Sequence, residues 1–186
     1  MRSTTLGEIA SIITGPFGSQ LHMEDYVDTG IPVIMPQNIG NRMVDENGIA
    51  RISELDYQRL FRYATEVNDI VYARRGDVEK HAFISKKDRA ICGTGCLRVR
   101  VFDKKVYPLF LSFYLNRAET RRWISMHAVG SNMPNLNTGI LSDVPIDLPS
   151  YKCQIEMAEI LQKLDDKIHN NNAINDNLHD YSLMEA

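Results

Sequence analysis

Several stretches of this sequence hold residues able to do chemistry. Asp77-Val78-Glu79-Lys80-His81 approaches the Asp and Asp/Glu-x-Lys arrangement by which nucleases hold a divalent metal. Glu79 and Lys80 are adjacent, however, and on a strand their side chains would leave on opposite faces. Cys92-Gly-Thr-Gly-Cys96 offers two thiolates, spaced one residue wider than the commonest zinc pair and without a second cysteine pair. Two buried strand thiols are the simpler reading. Gly15-Pro16-Phe17-Gly18-Ser19 has the glycines of a phosphate-cradling loop but lacks its Lys-Ser/Thr, which leaves a plain turn whose backbone could approach a polyanion. His22, His81, His127, His169 and His179 are scattered. The expectation is no catalytic residue, no metal site and no cofactor.

What remains is the chemistry of recognition. Reading base edges needs paired donors or acceptors, Arg for guanine and Asn or Gln for adenine, while Lys, Arg and small polar groups meet phosphates. The net charge of −3 conceals an uneven distribution: −5 over residues 1–71, +8 over 72–122, −2 over 123–150 and −4 over 151–186. A polyanion would meet the basic middle, with the acidic ends pointing elsewhere. There, Arg74 and Arg75 close an apolar run just before Gly76. Adjacent strand residues face opposite ways, so at most one of the two reads a base and the other meets Asp77 or a phosphate. Lys80 and His81 follow on the next loop, and Lys86, Lys87 and Arg89 form a loop suited to phosphates. Ser19, Gln20, Gln37 and Asn38 stand on loops from which they could face out. Asn132, with Asn135 and Asn137, either faces DNA or satisfies loop backbone. Arg121 and Arg122 fall on a helix, where salt bridges or phosphate would occupy them.

The elements that position these residues are short and irregularly mixed. One threonine of Thr4-Thr5 can cap a short helix ahead of an apolar run ending at Gly15. DTGIPVIMPQNIG reads as a buried strand interrupted by Pro32 and Pro36. ISELDYQRLFRYATEV reads as a helix with Leu55, Leu60 and Phe61 on its apolar face. NDIVYARRG is a strand leaving a turn. AFISKKDRAICGTGCLRVRVF reads as a hairpin or strand pair, in which Leu97, Val99 and Val101 alternate with exposed Arg98 and Arg100. VYPLFLSFYLNRAETRRWISMHA reads as one helix opened by Pro108, with Leu111, Leu115, Trp123 and Ile124 inward. Without the strand-helix rhythm of a doubly wound sheet, the expected fold is an irregular α+β domain over residues 1–148, with 149–186 as a separate helical element. The apolar fraction of 44% and charged fraction of 24% suit a soluble globular protein. No apolar run approaches the ~18 residues of a membrane span, and MRSTTLGEIA lacks a signal-peptide core. Three cysteines fit a reduced, cytoplasmic setting.

The C-terminal helix is predicted from about Lys152 to Leu183, on the order of 45 Å long. Met157, Leu161, Leu164, Ile168, Asn171, Asn175 and Leu178 recur at alternating intervals of four and three, the seam of a coiled coil, flanked by Ile160 and Ile174. The alternative is an amphipathic helix folded back on its own domain. A domain of about 150 residues has a radius of gyration of about 15 Å, so part of such a helix should project and meet another. Two seam asparagines cost stability and fix register.

Several stretches resemble the specificity subunit of type I restriction-modification systems. LGEIASIITGPFGSQL resembles the entry to a target recognition domain, and DIVYARRG and ICGTGCLRVR resemble two of its strands. NLNTGILSDVPIDLPSYKCQIEMAEILQKLDDKIHNNNAINDNL resembles the junction into the long conserved-region helix. The combination of I-x-L-P, Q-x-x-I/M-A-x-I-L, L-D-x-K-I and I-N-x-N-L is specific, although the pieces are not. The chain departs from that family in having one recognition domain and one helix where two are usual, Cys153 where an acidic residue commonly precedes the glutamine, and a divergent tail after Leu178. A natural half-length subunit and a truncated one both remain open.

The resemblance implies a non-catalytic DNA-recognition subunit. Two copies would pair their C-terminal helices antiparallel, so that a homodimer reads an inverted-repeat, bipartite duplex site. The paired helices would also dock the methyltransferase subunits, which bind S-adenosylmethionine, and through the complex the restriction subunits. The competing reading is a coiled-coil homodimeric adaptor that recruits a protein partner without DNA, which leaves the basic middle unexplained.

Overall fold

The computed structural model describes residues 1–130 and 133–184, apart from the side chains of Ala173 and residues 176–184. In chain order the elements are β1 (Arg2–Thr5), α1 (Leu6–Ile9), β2 (Ala10–Thr14), β3 (Tyr26–Val27), β4 (Ile31–Ile34), β5 (Arg51–Ile52) and α2 (Glu54–Arg59). There follow β6 (Ile70–Ala73), β7 (His81–Phe83), β8 (Ile91–Cys92), β9 (Cys96–Val101), α3 (Pro108–Leu115), α4 (Ala118–His127), α5 (Thr138–Ser142), β10 (Pro145–Leu148) and α6 (Tyr151–Met184). The fold is a mixed α+β arrangement.

Antiparallel β2-β9-β6-β7 forms the central sheet. Its β6 is apolar at every position because both faces are covered: Ile70 and Tyr72 join the core with Leu6, Ile9 and Leu111, while Val71 and Ala73 join a second cluster with Ile34 and Cys92. A second sheet, β3-β5-β4-β8, carries the only parallel pair of strands among the described residues, β4 beside β8. β1 and β10 form a two-stranded ribbon in which Arg2 lies opposite Leu148. The N-terminal strand is therefore tied to the strand that leads into α6.

Several sequence expectations change here. The stretch 82–102, expected as a hairpin or strand pair, does not fold on itself. β7 pairs with β6, β8 crosses to the second sheet, and β9 inserts between β2 and β6. The arginine face of β9 is covered: Arg98 is buried and donates to the carbonyls of Arg62 and Ala64, and Arg100 grips Asp69 (2.7 Å) and Glu66 (2.6 Å). The helix expected over 52–67 is only α2, followed by a 3-10 turn, and the inward residues are Tyr57, Leu60 and Tyr63. Leu55 is 80% exposed and Phe61 points out as well, because six residues present too short a face to cover both. The long helix opened by Pro108 is two helices, α3 and α4, broken at Asn116–Arg117.

Candidate nucleic-acid interface

Five loops meet at the end of the central sheet where β6 stops. The turn after β2 lies against the β8–β9 turn, with the Gly15 N–H donating to the Cys96 carbonyl (2.9 Å). A Cβ on Gly15 would sit 2.0 Å from the Gly93 oxygen, so only glycine lets these backbones approach. Gly93 in turn donates to Ile34 (2.9 Å) at the entry to the Met35–Asn38 turn. The Arg74 N–H donates to Gly95 (2.7 Å), and the Arg74 carbonyl accepts from Leu136 (2.8 Å), which brings in the segment 133–137. Arg75 bridges to Asn135.

Of the residues expected to face DNA, Ser19, Gln37, Arg74 and Arg75 are brought together here. Ser19, Gln37 and Arg75 are exposed, and Arg74 is half-buried with its guanidinium 5.8 Å from the Phe17 ring centre. Six of the thirteen Lys and Arg residues in the basic segment are in ion pairs. Arg74 and Arg75 are not among them, nor are Lys86, Lys87, Lys104, Lys105 and Arg122, as far as the described residues go. Unpaired guanidiniums on a preformed loop surface are what phosphate and base-edge recognition requires.

Other expected residues are employed elsewhere. Gln20 lies within the cluster, but its side-chain oxygen accepts from the Phe17 N–H (3.2 Å) and the Tyr63 hydroxyl (2.8 Å). Asn38 is buried, accepting from Met35 and donating to Asp45, both at 3.1 Å, so it builds its own loop. Lys80 pairs with Asp77 (2.8 Å) and Glu79 with Arg121 (3.3 Å), which divides the nuclease-like stretch into two separate ion pairs. Lys86 and Lys87 are exposed but lie at the opposite end of the β6–β7 pair, because Ile70 faces Phe83 and Tyr72 faces His81. Arg89 chelates Glu54 (2.7 Å) and stacks over Tyr57 at 4.2 Å. Asn132 lies outside the described residues.

His81 is buried rather than poised on a loop. Its ring packs against Tyr72, centres 4.9 Å apart and planes tilted by 35°, and its Nε2 lies 3.1 Å from Ser112 Oγ. Ser112 Oγ also accepts from Arg42 Nε (3.0 Å), so one buried hydroxyl meets both side chains. Burial, aided by the Arg42 charge, pushes the imidazole pKa down to about 3, so it is neutral at physiological pH. Cys92 and Cys96 are both buried, and burial pushes the Cys92 thiol up to about 12 and Cys96 up as well. These are packing thiols. No group of three or more His, Cys, Asp or Glu among the described residues could hold a metal ion.

Arg42 and Gln154, neither singled out by sequence reasoning, join α6 to the rest. Arg42 lies in a tight turn, with φ 59° and its side chain 5% exposed. It pairs along the edge strand β7, lies 3.4 Å over the Phe113 ring and makes a salt bridge to Asp165 on α6. Gln154 is buried: its oxygen accepts from Tyr107 N–H (2.9 Å), and its amide donates to Lys105 (3.1 Å) and Pro149 (3.0 Å). Beside it Ala158 is buried because α3 and α6 pack there. The glutamine and alanine of the Q-x-x-I/M-A motif were the available signal for this latch. Arg42 had none. Between α6 and the 42–49 and 83–90 segments lies a cavity of about 430 Å³, lined by Ile34, Val44, Phe83, Lys86, Asp165 and His169 among others.

The helix thus faces its neighbours with Gln154, Ala158, Gln162 and Asp165, spaced three and four apart. Met157, Leu161, Leu164 and Ile168 remain exposed, with Asn171 and Asn175. Leu178 belongs to the helix, but its side chain lies outside the described residues.

A mixed α+β scaffold that gathers glycine-walled loops around unpaired arginines defines a recognition module. The chain belongs to the type I restriction modification DNA specificity domain family, whose model matches residues 1–180. Among solved structures it is similar to a chain of a type I restriction-modification complex (17% identity, TM-score 0.66). It is also similar to the specificity subunit of Thermoanaerobacter tengcongensis (18%, 0.66) and that of M. genitalium (17%, 0.64). Each likeness covers 91% of this chain and between 38% and 40% of the other, so the chain spans about two fifths of those proteins. At such identities they establish the shared fold. No curated protein is significantly similar in sequence.

Proposed function

We propose that this chain is the sequence-reading component of a symmetric type I specificity subunit. Residues 1–148 read one half-site of duplex DNA, and residues 149–186 are the dimerisation and spacer helix. The observation that carries this reading is the loop surface on which Arg74 and Arg75 stand without carboxylate partners among the described residues. At most one of them reads a base edge and the other holds a phosphate. Lys86 and Lys87, at the far end of the β6–β7 pair, meet backbone further along the duplex.

Two copies pair through antiparallel α6 helices along Met157, Leu161, Leu164, Ile168, Asn171, Asn175 and Leu178. Support comes from the polar and small inward face of α6, which leaves the aliphatic seam uncovered. A two-fold pair reads an inverted repeat, and each helical turn between the copies moves a half-site by about 5.4 Å. The paired helices dock methyltransferase subunits, which bind S-adenosylmethionine and modify the site in the cytoplasm, and restriction subunits join through that complex.

Titration with random-sequence duplex, alone and with the methyltransferase subunits, tests the DNA role. Log affinity should fall linearly with log salt, and replacing Arg74 and Arg75 together by Ala should flatten the slope by about one or two. Absence of binding at low salt in the assembled complex would leave the coiled-coil adaptor as the surviving reading.

A further inference from the structure

We propose that Phe17 is a base-stacking wedge, inserted against an unstacked base of the duplex bound at the five-loop surface. The proposal rests on the DNA reading above and names a contact that the charge pattern does not predict. Phe17 is 57% exposed at the tip of the turn after β2, between buried Pro16 and exposed Gly18 and Ser19. Its exposure does not come from a loose loop. The turn closes on itself through the Gln20 N–H to the Phe17 carbonyl (2.8 Å), and the Phe17 N–H donates to the Gln20 side chain (3.2 Å). Gln20 is in turn fixed to the scaffold, by the Tyr63 hydroxyl at its side chain (2.8 Å) and Arg59 at its carbonyl (2.6 Å). Arg59 itself is held by Asp56 (2.8 Å) and Asp25 (3.3 Å), and Leu21 anchors the exit of the turn in the core.

A backbone clamped this firmly could have turned the ring inward, yet presents it outward. The neighbouring position is also open: nothing lies within 4 Å of a Cβ built on Gly18. The Arg74 guanidinium lies 5.8 Å from the Phe17 ring centre and makes no ion pair among the described residues. An exposed aromatic on a clamped turn, flanked by a cation, suits a base whose phosphate is held by that cation. The rigidity lowers the ordering cost on binding, which is where a flexible aromatic would lose affinity.

The test uses the full chain with its methyltransferase subunits. Duplexes enriched by the wild type from a randomised pool are resynthesised with 2-aminopurine at successive adenines. Phe17→Ala should weaken binding about five- to a hundredfold, the range for losing one base–aromatic stack. It should also abolish a fluorescence increase that the wild type produces at one or two positions, and Phe17→Trp should retain both. Unchanged affinity and fluorescence in Phe17→Ala would overturn the wedge and leave the DNA reading standing. Weakened binding with no fluorescence change in the wild type would make Phe17 a backbone contact, which also overturns it. Loss of methyltransferase co-purification in Phe17→Ala would reassign the ring to protein docking. A wild-type complex that enriches no duplex would overturn the DNA reading and the wedge with it.

Discussion

Replacing Asp165 by Ala should loosen α6 from the rest of the chain, and the size of the effect follows from the surroundings of Arg42. Its side chain is 5% exposed, bonded to Ser112 and Asp165 and lying over the Phe113 ring, whereas the Asp165 side chain is 45% exposed. Burial lowers the Arg42 pKa and Asp165 draws it back up, yet arginine stays charged at any accessible pH. Removing the carboxylate therefore strands a cation. For a fully buried pair that costs about 3–5 kcal/mol, and for a surface pair about 0–1 kcal/mol. Solvent at Asp165 screens the interaction, which places the cost at about 1–2 kcal/mol. At about 2–4 °C per kcal/mol for a chain of this size, the midpoint should fall by about 2–8 °C. Arg42→Met removes the buried charge and keeps an apolar stem over Phe113, so combining it with Asp165→Ala should recover most of the loss. The double-mutant cycle, read by urea unfolding and by hydrogen exchange at amides 158–169, should give a coupling of about 1–2 kcal/mol. A coupling below about 0.5 kcal/mol would refute the claim that this pair holds the helix.

His81 predicts a pH dependence. Its folded pKa of about 3 lies below the ordinary histidine value, so the unfolded chain takes up the proton first. The stability contributed by neutral His81 is fully present above pH 6.5 and is lost as pH falls towards 3. Between pH 7.5 and 5 the loss should be about 2 kcal/mol. Denaturation curves of His81→Asn should lack this component, and parallel wild-type and variant profiles would contradict the assignment. On α6, Leu164→Lys with Ile168→Lys should yield a monomer by light scattering with the circular dichroism of residues 1–148 intact. An unchanged mass would remove these residues from the dimer seam.

How much of this was legible beforehand follows the range of the forces involved. The threonine ahead of α1 and Pro108 at the start of α3 are read from neighbours within a few residues, and both sit where a helix was expected to open. Local propensity, turn chemistry and hydrophobic period act at that range. The family resemblance, carried by a combination of short motifs, was equally available from the sequence. Arg98, His81 and Asn38 show where local information ends. Alternation on β9 indicates that its two faces differ, but the Arg62–Ala64 backbone and Asp69 that cover the arginine face come from another part of the chain. His81 reads as a loop residue until β7 pairs with β6 and α3 closes over it. The same holds for α6. Its sequence determined a helix with an aliphatic stripe, and only the tertiary structure decided that Gln154, Ala158 and Asp165 face inward while the stripe stays exposed. Helical period specifies which residues share a face, and the choice of face depends on long-range partners such as Arg42 and the Tyr107 backbone, which local pattern does not encode.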